Sequence, residues 1–347
     1  MKKQTKRLLI IGPTIGCYGG MEAYMIALAT AAAEWPEYEV KLCFKLVKTD
    51  KPEEGLRRIA EDGNRDVYYV QRASAELVKL IAWADVLHVQ NPPPDVVFIA
   101  KLMGKKVFLT VHNRHVPVLN LHNILWRASI KLAHRRWYNS NFVWGSWETK
   151  NKSLKSACVY TVCNLPQTWL PPTERKGFLF VGRWTPKKGI QEILKAYAQN
   201  KFNPKEWPLT ILGDGPLREE IHALAAELGL TEVSMPGFID ETAKEKYLSS
   251  ARWLLAPALT NEDLGLTPIE ARSVGVPAIV TRDGGLPESG GPAALIAEPG
   301  NVEDLARCMM IAATMDEEKY RQRGELAMKS LKDFLQPMSF YRTAYLA

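Results

Sequence analysis

The chain has 347 residues, 46% apolar and 24% charged, without a low-complexity tract; this fits about two globular domains and excludes extensive disorder. Its five cysteines, Cys17, Cys43, Cys158, Cys163 and Cys308, contain no CxxC, which argues against a disulfide framework or zinc knuckle and fits a reducing cytoplasm. The net charge of +7 is lopsided: 24 Lys and Arg stand against 14 Asp and Glu through residue 165, and 21 against 24 beyond it.

The opening MKKQTKRLLIIGPTIG imitates a signal peptide, but its apolar run from Leu8 to Ile11 is too short for one. No run approaches the roughly 18 apolar residues of a membrane span. The β-rich runs RLLIIG, EVKLCFKLV, DVYYV, DVLHVQ and KKVFLTVH alternate with helical spacing, the grammar of βαβ units around a buried parallel sheet. After the first run comes GPTIGCYGGME, where backbone N–H groups and a helix start suit an anion. Its glycines, Gly12, Gly16, Gly19 and Gly20, fit neither the dinucleotide fingerprint nor a Walker loop, and a tight structural turn would also explain them.

Five of the six histidines, His88, His112, His115, His122 and His134, lie between residues 88 and 134. His112 ends the strand KKVFLTVH, at a sheet edge where functional groups project. His88 reads as a strand residue. No HExxH or supporting carboxylate accompanies His112 and His115 at ligand spacing, so metal is not expected. The densest basic stretch, Arg127 to Lys155, has seven cations, the single acid Glu148, and Trp137, Tyr138, Trp144 and Trp147, with Trp126 just before it. Such a segment suits an anionic membrane surface or an acidic acceptor, or is simply a solvated basic helix. No binding motif supports nucleic acid.

The proline-rich NLPQTWLPPTERKG, residues 164–177, reads as a linker. It sets the domains at 1–165 and 166–336, with a tail, 337–347, whose Phe340, Tyr341, Tyr345 and Leu346 need a surface to pack on. The second series runs GFLFVGR, PLTILG, VSMPGF, RWLLAPA, PAIVT and AALIA, with helices expected from Ile190 to Ala198 and Arg218 to Leu228, and a long helical region from Val302 to Phe334. In VGRWTPKKG, Arg183 at a strand end and Lys188 before a helix suit a diphosphate, or form an ordinary basic loop. In NEDLGLTPIE, Glu262 lies on a loop. Glu270 falls in the first helical turn, where Thr267-x-x-Glu270 has the form of a capping box. No Gly-x-Ser-x-Gly elbow or Cys-His arrangement points to a hydrolase.

The ordered set YGGMEAY, TVHN, VGRWTPKKG, LGDGP, PGFID, NEDLGLTPIEARSVGVPAIVT and GGLPE resembles a retaining glycosyltransferase of the GT-B fold, family four (glycosyl transferases group 1). The resemblance spans nearly the whole chain and is densest from Gly182 to Glu288. It implies two α/β Rossmann-like domains with parallel sheets facing a central cleft, and a C-terminal helix crossing back to the first domain. The first domain would then be the acceptor side and the second would bind a nucleotide sugar.

By that resemblance Arg183 and Lys188 hold the donor diphosphate, and backbone N–H groups near Gly265 and Leu266 assist. Glu270 takes the ribose hydroxyls, Glu262 the sugar hydroxyls, and Phe238 and Ile239 lie near the base. Gly19 and Gly20 approach the sugar phosphate, and His112 the reacting centre. The implied reaction moves a hexose-type sugar to a hydroxyl of a glycan or lipid-linked acceptor with retention, without metal or other cofactor. The setting is polysaccharide or glycoconjugate assembly in the cytoplasm, with contact to an anionic membrane through 127–155. Asp263 and Leu264 depart from the family's usual acidic-x-Phe, and Asn113 follows His112 where an acidic or small residue is common; both bear on sugar choice. Rival readings are a noncatalytic sugar-nucleotide-binding protein and an epimerase of GT-B shape. A nicotinamide oxidoreductase would need the fingerprint that the opening loop lacks.

Overall fold

The computed structural model describes residues 5–63, 65–149 and 152–347. Met1 to Gln4 of the opening segment and Lys150 of the basic stretch lie outside them. The chain divides into two compact units, Met1–Asn164 with Leu335–Ala347, and Leu165–Phe334.

In the first unit strands and helices alternate: β1 Lys6–Thr14, α1 Gly20–Ala33, β2 Tyr38–Leu46, α2 Glu54–Glu61, β3 Val67–Gln71, α3 Ala75–Trp83, β4 Val86–Gln90, α4 Pro94–Leu102, β5 Lys106–Val111, α5 Leu121–Leu132, β6 Arg135–Tyr138, α6 Asn141–Trp147 and β7 Ser156–Cys158. The seven strands form one parallel sheet in the order β3-β2-β1-β4-β5-β6-β7. Helices cover both faces, which is why β1 reads as a continuous apolar run: Leu9 and Ile11 enter one core layer, Leu8 and Ile10 the other. The winding reverses between β1 and β4, so the loops after these strands diverge and open a crevice at the sheet's C-terminal edge.

The second unit repeats the grammar: β8 Lys176–Val181, α7 Ile190–Asn200, β9 Leu209–Leu212, α8 Arg218–Glu227, β10 Ser234–Gly237, α9 Glu241–Ser250, β11 Ala251–Ala256, α10 Leu266–Ser273, β12 Ala278–Thr281, α11 Leu286–Gly290, β13 Leu295–Ala297, α12 Val302–Ala313 and α13 Glu317–Phe334. Its parallel sheet runs β10-β9-β8-β11-β12-β13 and reverses between β8 and β11. The expected helical region from Val302 to Phe334 consists of two helices, α12 and α13. Asp316 accepts from the Lys319 N–H at 2.8 Å and starts α13 as a new cap.

The tail forms α14, Ser339–Leu346, and belongs to the first unit. Tyr341 and Tyr345 are buried beside Leu8 and Ile10, whereas Leu346 faces solvent. The fully buried His88 joins the tail to the sheet: its Nδ1 lies 2.5 Å from the Tyr345 hydroxyl and its Nε2 2.6 Å from Thr110 Oγ1.

The basic stretch is not a solvated helix. It comprises the end of α5, then β6 and α6, and stops just before β7. Its aromatic side chains serve the fold rather than an interface: Trp137, Tyr138 and Trp147 are buried, and Trp144 stacks on Tyr138. Arg136 is buried too, paired with Glu148 at 2.8 Å.

Candidate functional site

In the second unit the loops after β8 and β11 flank the reversal of strand order and carry most of the expected residues. After β8 the chain is fixed by the fully buried Trp184, whose N–H donates to the Asp214 carbonyl at 2.8 Å, leaving Arg183 exposed. Lys188 is three-quarters buried, and its Nζ donates to Glu262 Oε2 at 2.6 Å. Glu262 is held from three sides. Thr260 Oγ1 donates to its carboxylate at 3.2 Å, its N–H donates to Asp283 Oδ1 at 2.7 Å, and its carbonyl accepts from the Gly285 N–H at 2.7 Å. Asp283 also accepts from the Asn261 N–H at 3.0 Å. This crossing leaves no room at Gly284, where a Cβ would sit 2.1 Å from the Glu262 carbonyl oxygen and the backbone φ is +55°.

The start of α10 settles the two readings of NEDLGLTPIE. Gly265, with φ +84° and ψ 102°, is the N-cap and offers no side chain to the helix start. Leu266, Thr267 and Pro268 are the first three helical residues. Thr267 is therefore inside the helix, Glu270 is its fifth residue, and the capping box expected from the sequence does not form. The N–H groups of the first turn receive no side-chain cap and offer a positive helix end at the sheet edge.

Glu270 instead faces α9. Its Oε1 accepts from Lys244 Nζ at 3.2 Å, and Lys244 also pairs with Glu241 at 2.6 Å. The second oxygen, Oε2, is buried and has no hydrogen-bond partner among the described residues. Burial raises the Glu270 pKa above the usual carboxylate value, with Lys244 opposing. A buried carboxylate oxygen with unused acceptor capacity is costly unless something donates to it. Phe238, after β10, is 83% exposed, and Ile239 beside it packs partly on the core near Leu212 and Ala258.

At the first unit's edge, Gly19 is the N-cap of α1 and Gly20 its first residue. Glu22 in the same turn is buried, and a Cβ at Gly19 would lie 3.2 Å from its Oε2. Burial raises the Glu22 pKa, while hydrogen bonds from Thr14 and from the N–H groups of Glu22 and Gly19 lower it. The helix start expected to meet a phosphate thus already meets a carboxylate of its own turn.

His112 follows β5 and is buried. Its N–H donates to Asn91 Oδ1 at 2.9 Å, its Nε2 lies 2.9 Å from Gln90 Oε1, and its ring meets Tyr24 edge-on at 5.8 Å. Burial pulls its pKa down to about 4, so the imidazole is neutral at pH 7. His115 lies against Trp147, with ring centroids 4.6 Å apart.

Lys244, Asp283, Gln90, Asn91 and Tyr24 were not singled out in the sequence. Asn91 and Asp283 carried a usable signal, because each is a polar residue just past a strand at the C-terminal edge of a parallel sheet. Lys244, in the polar run ETAKEK on a helix, carried none.

Residues 164–329 match the family model described as glycosyl transferases group 1. The match takes in nearly all of the second unit, Leu165–Phe334. The chain is also similar to 2-deoxystreptamine glucosyltransferase of Streptomyces kanamyceticus, 33% identical over 131 residues, 37% of this chain and 34% of that protein. A second relative, D-rhamnosyltransferase WbpZ of Pseudomonas aeruginosa, is 26% identical over 223 residues, 59% of this chain and 57% of the relative. These matches span about a third and somewhat over half of the relatives' lengths. Among solved structures, Anabaena HepE in complex with UDP superposes with a TM-score of 0.83, covering 98% of this chain and 99% of that one at 15% identity. Lipopolysaccharide outer core galactosyltransferase WaaB gives 0.69, with 94% and 98% covered at 18% identity. The fold is GT-B. The second unit holds Arg183, Lys188, Phe238, Ile239, Glu262, Gly265, Leu266 and Glu270, while Gly19, Gly20 and His112 stand on the first unit.

Proposed function

We propose that the protein is a retaining, metal-independent glycosyltransferase that moves a sugar from a nucleoside diphosphate to a hydroxyl of a glycan or glycolipid acceptor in cell-surface polysaccharide or glycoconjugate assembly. The observation that carries this reading is the edge of the second sheet, where Arg183, Lys188 and Glu262 on the loops, and the uncapped start of α10 with the buried Oε2 of Glu270 on its second turn, stand beside one strand-order reversal. Each element matches one part of a nucleotide sugar. Two cations and a helix start suit the diphosphate, a buried acceptor suits ribose hydroxyls, and a second carboxylate suits the sugar. The relatives named above carry glycosyltransferase names, and HepE binds UDP, which supports such a donor.

In this reading the Lys188–Glu262 pair opens when the donor enters: Lys188 turns to the diphosphate and Glu262 is released to the sugar. Positive charge at the departing diphosphate is the main catalytic contribution. On the first unit, neutral His112, Gly19 and Gly20 are read as donor-contacting residues. His112 positions and polarises by hydrogen bonding rather than as a cation. A donor phosphate oxygen takes the acceptor proton as the new bond forms on the face the diphosphate leaves.

A thermal-shift panel of nucleoside diphosphates and their sugars tests this, since a ligand that binds only the folded state raises its melting temperature. A nucleoside diphosphate sugar should stabilise the chain and be consumed when acceptor is added. Stabilisation by no member of the panel would refute the reading. Stabilisation without turnover in the presence of lipid-linked and glycan acceptors would favour the noncatalytic binding protein.

A further inference from the structure

The surface of the first unit carries one feature that the donor site does not use. Within nine residues, Val116, Val118, Leu119, Leu121 and Ile124 are all exposed, Leu119 to 94%. They occupy the loop that leaves β5 just after His112 and the first turn of α5. The loop has a fixed shape: Asn123 Nδ2 donates to the Val116 and Val118 carbonyls at 2.8 and 2.7 Å, and Asn120 caps α5 by accepting from the Asn123 N–H at 2.8 Å. The polar groups are turned to the backbone and the apolar side chains outward. Such a cluster on a soluble surface marks an interaction site.

Its surroundings identify the partner. At 100° per residue, Leu121, Ile124, Arg127 and Lys131 fall within one sector of about 120° on α5, and all four are exposed. The apolar tip therefore continues into a cationic stripe. The sequence has no acid between Asp95 and Glu148, so neither α5 nor the loop before it supplies a charge that offsets the stripe. A second copy meeting this face symmetrically would bring the stripe against itself, like charge on like charge. A bilayer with anionic headgroups satisfies both parts at once, taking the aliphatic side chains below the headgroups and the cations at their level.

We propose that residues 116–124, with Arg127 and Lys131, form a docking surface for an anionic phospholipid bilayer. The membrane contact expected of 127–155 thus moves to its N-terminal end and the loop before it, since Trp137, Tyr138 and Trp147 of that segment are buried. Resting on the proposed transferase reading, the same surface makes the acceptor a lipid-anchored one, because the docking loop begins at the residue after His112.

Flotation of the full chain with vesicles of phosphatidylcholine, alone or mixed with phosphatidylglycerol, tests the surface. The chain should float with the mixed vesicles only, and less at high salt. Leu119→Ser with Leu121→Ser should weaken partition by about tenfold per leucine. Arg127→Glu with Lys131→Glu should remove the preference for anionic lipid. Leu154→Ser, an exposed leucine inside the basic stretch, should float like the parent chain. Failure of the parent to float with mixed vesicles would overturn the proposal, as would unchanged flotation of the leucine pair or an equal loss in Leu154→Ser. So would light scattering that shows a vesicle-free dimer lost in the leucine pair. Calorimetry of nucleoside diphosphate binding separates the two readings: docking without nucleotide binding would remove the lipid-anchored acceptor and leave the membrane surface standing.

Discussion

Replacing Glu270 by Gln separates a ligand-binding role from a structural one. The carboxylate is largely buried, one oxygen is 3.2 Å from Lys244 and the other has no partner among the described residues. Because burial raises its pKa, the folded state favours the protonated form, and the ionised group costs stability as pH rises above the ordinary carboxylate value. Gln removes that cost, and Lys244 keeps Glu241 at 2.6 Å. The melting temperature at pH 7 should therefore equal or exceed that of the parent. Binding should behave oppositely. Each hydrogen bond from a ribose hydroxyl to a charged acceptor is worth about 1.5–3 kcal/mol, so losing the charge should weaken a nucleoside diphosphate by about tenfold to a hundredfold. The decisive assay is calorimetry with the ribonucleotide and its 2′,3′-dideoxy analogue. The parent should prefer the ribonucleotide by a similar factor, and Glu270→Gln should bind both alike. If Gln weakened both equally, or lowered the melting temperature along with affinity, the ribose role would be wrong and Glu270 would be a structural partner of Lys244.

Arg183→Ala and Lys188→Ala should each lower nucleoside diphosphate affinity by about tenfold to a hundredfold, the worth of a charge-assisted contact, and unchanged calorimetric affinity would dismiss the clamp. His112 and His88 are held neutral, with pKa values pulled down to about 4 and about 3. The unfolded chain takes up those protons first, so folding stability should fall as pH drops below the ordinary value of 6.5. The slope should be about 1.4 kcal/mol per pH unit for each histidine down to its folded pKa, and a flat denaturant midpoint from pH 7 to 5 would contradict this. Glu148 shows the opposite sign. Burial pushes its pKa up, but bonds from Trp144, the Ser153 N–H, Ser156 and Arg136 outweigh it and bring the value to about 2. Its contribution should be complete above the ordinary carboxylate value of 4.5 and vanish as pH falls towards 2. Glu148→Gln, which strands the buried Arg136, should cost about 3 kcal/mol in denaturant unfolding.

The sheets were legible because a strand covered on both faces is an unbroken apolar run, and RLLIIG or RWLLAPA has no other good reading. RRWY and SAC were not, since β6 begins with two arginines and β7 has three residues. The charge on Arg136 is cancelled only by Glu148, twelve residues later, a pairing that no local pattern announces. At the site, Arg183, Lys188 and Glu262 stand where strand ends and a following loop place them. What stayed hidden is which groups face each other. Spacing could not reveal that Glu262 engages Lys188 across 74 residues, or that Glu270 looks to Lys244 on the preceding helix. The misreading of Thr267 has a definite cause: Gly265, free to adopt φ +84°, starts the helix two residues early and takes the cap position.

The packing of α14 on the first unit also bears on the order in which the chain can mature on the ribosome. Residues 5–164 emerge first, yet the partner of His88 and the aromatic cover over Leu8 and Ile10 belong to residues 341 and 345. The intervening unit, Leu165–Phe334, is contiguous and can close by itself. At the usual pace of synthesis, those 170 residues take about 10 to 30 s. During that interval the earlier-made half must wait with one face of its core unsealed, so the later-made half can finish first.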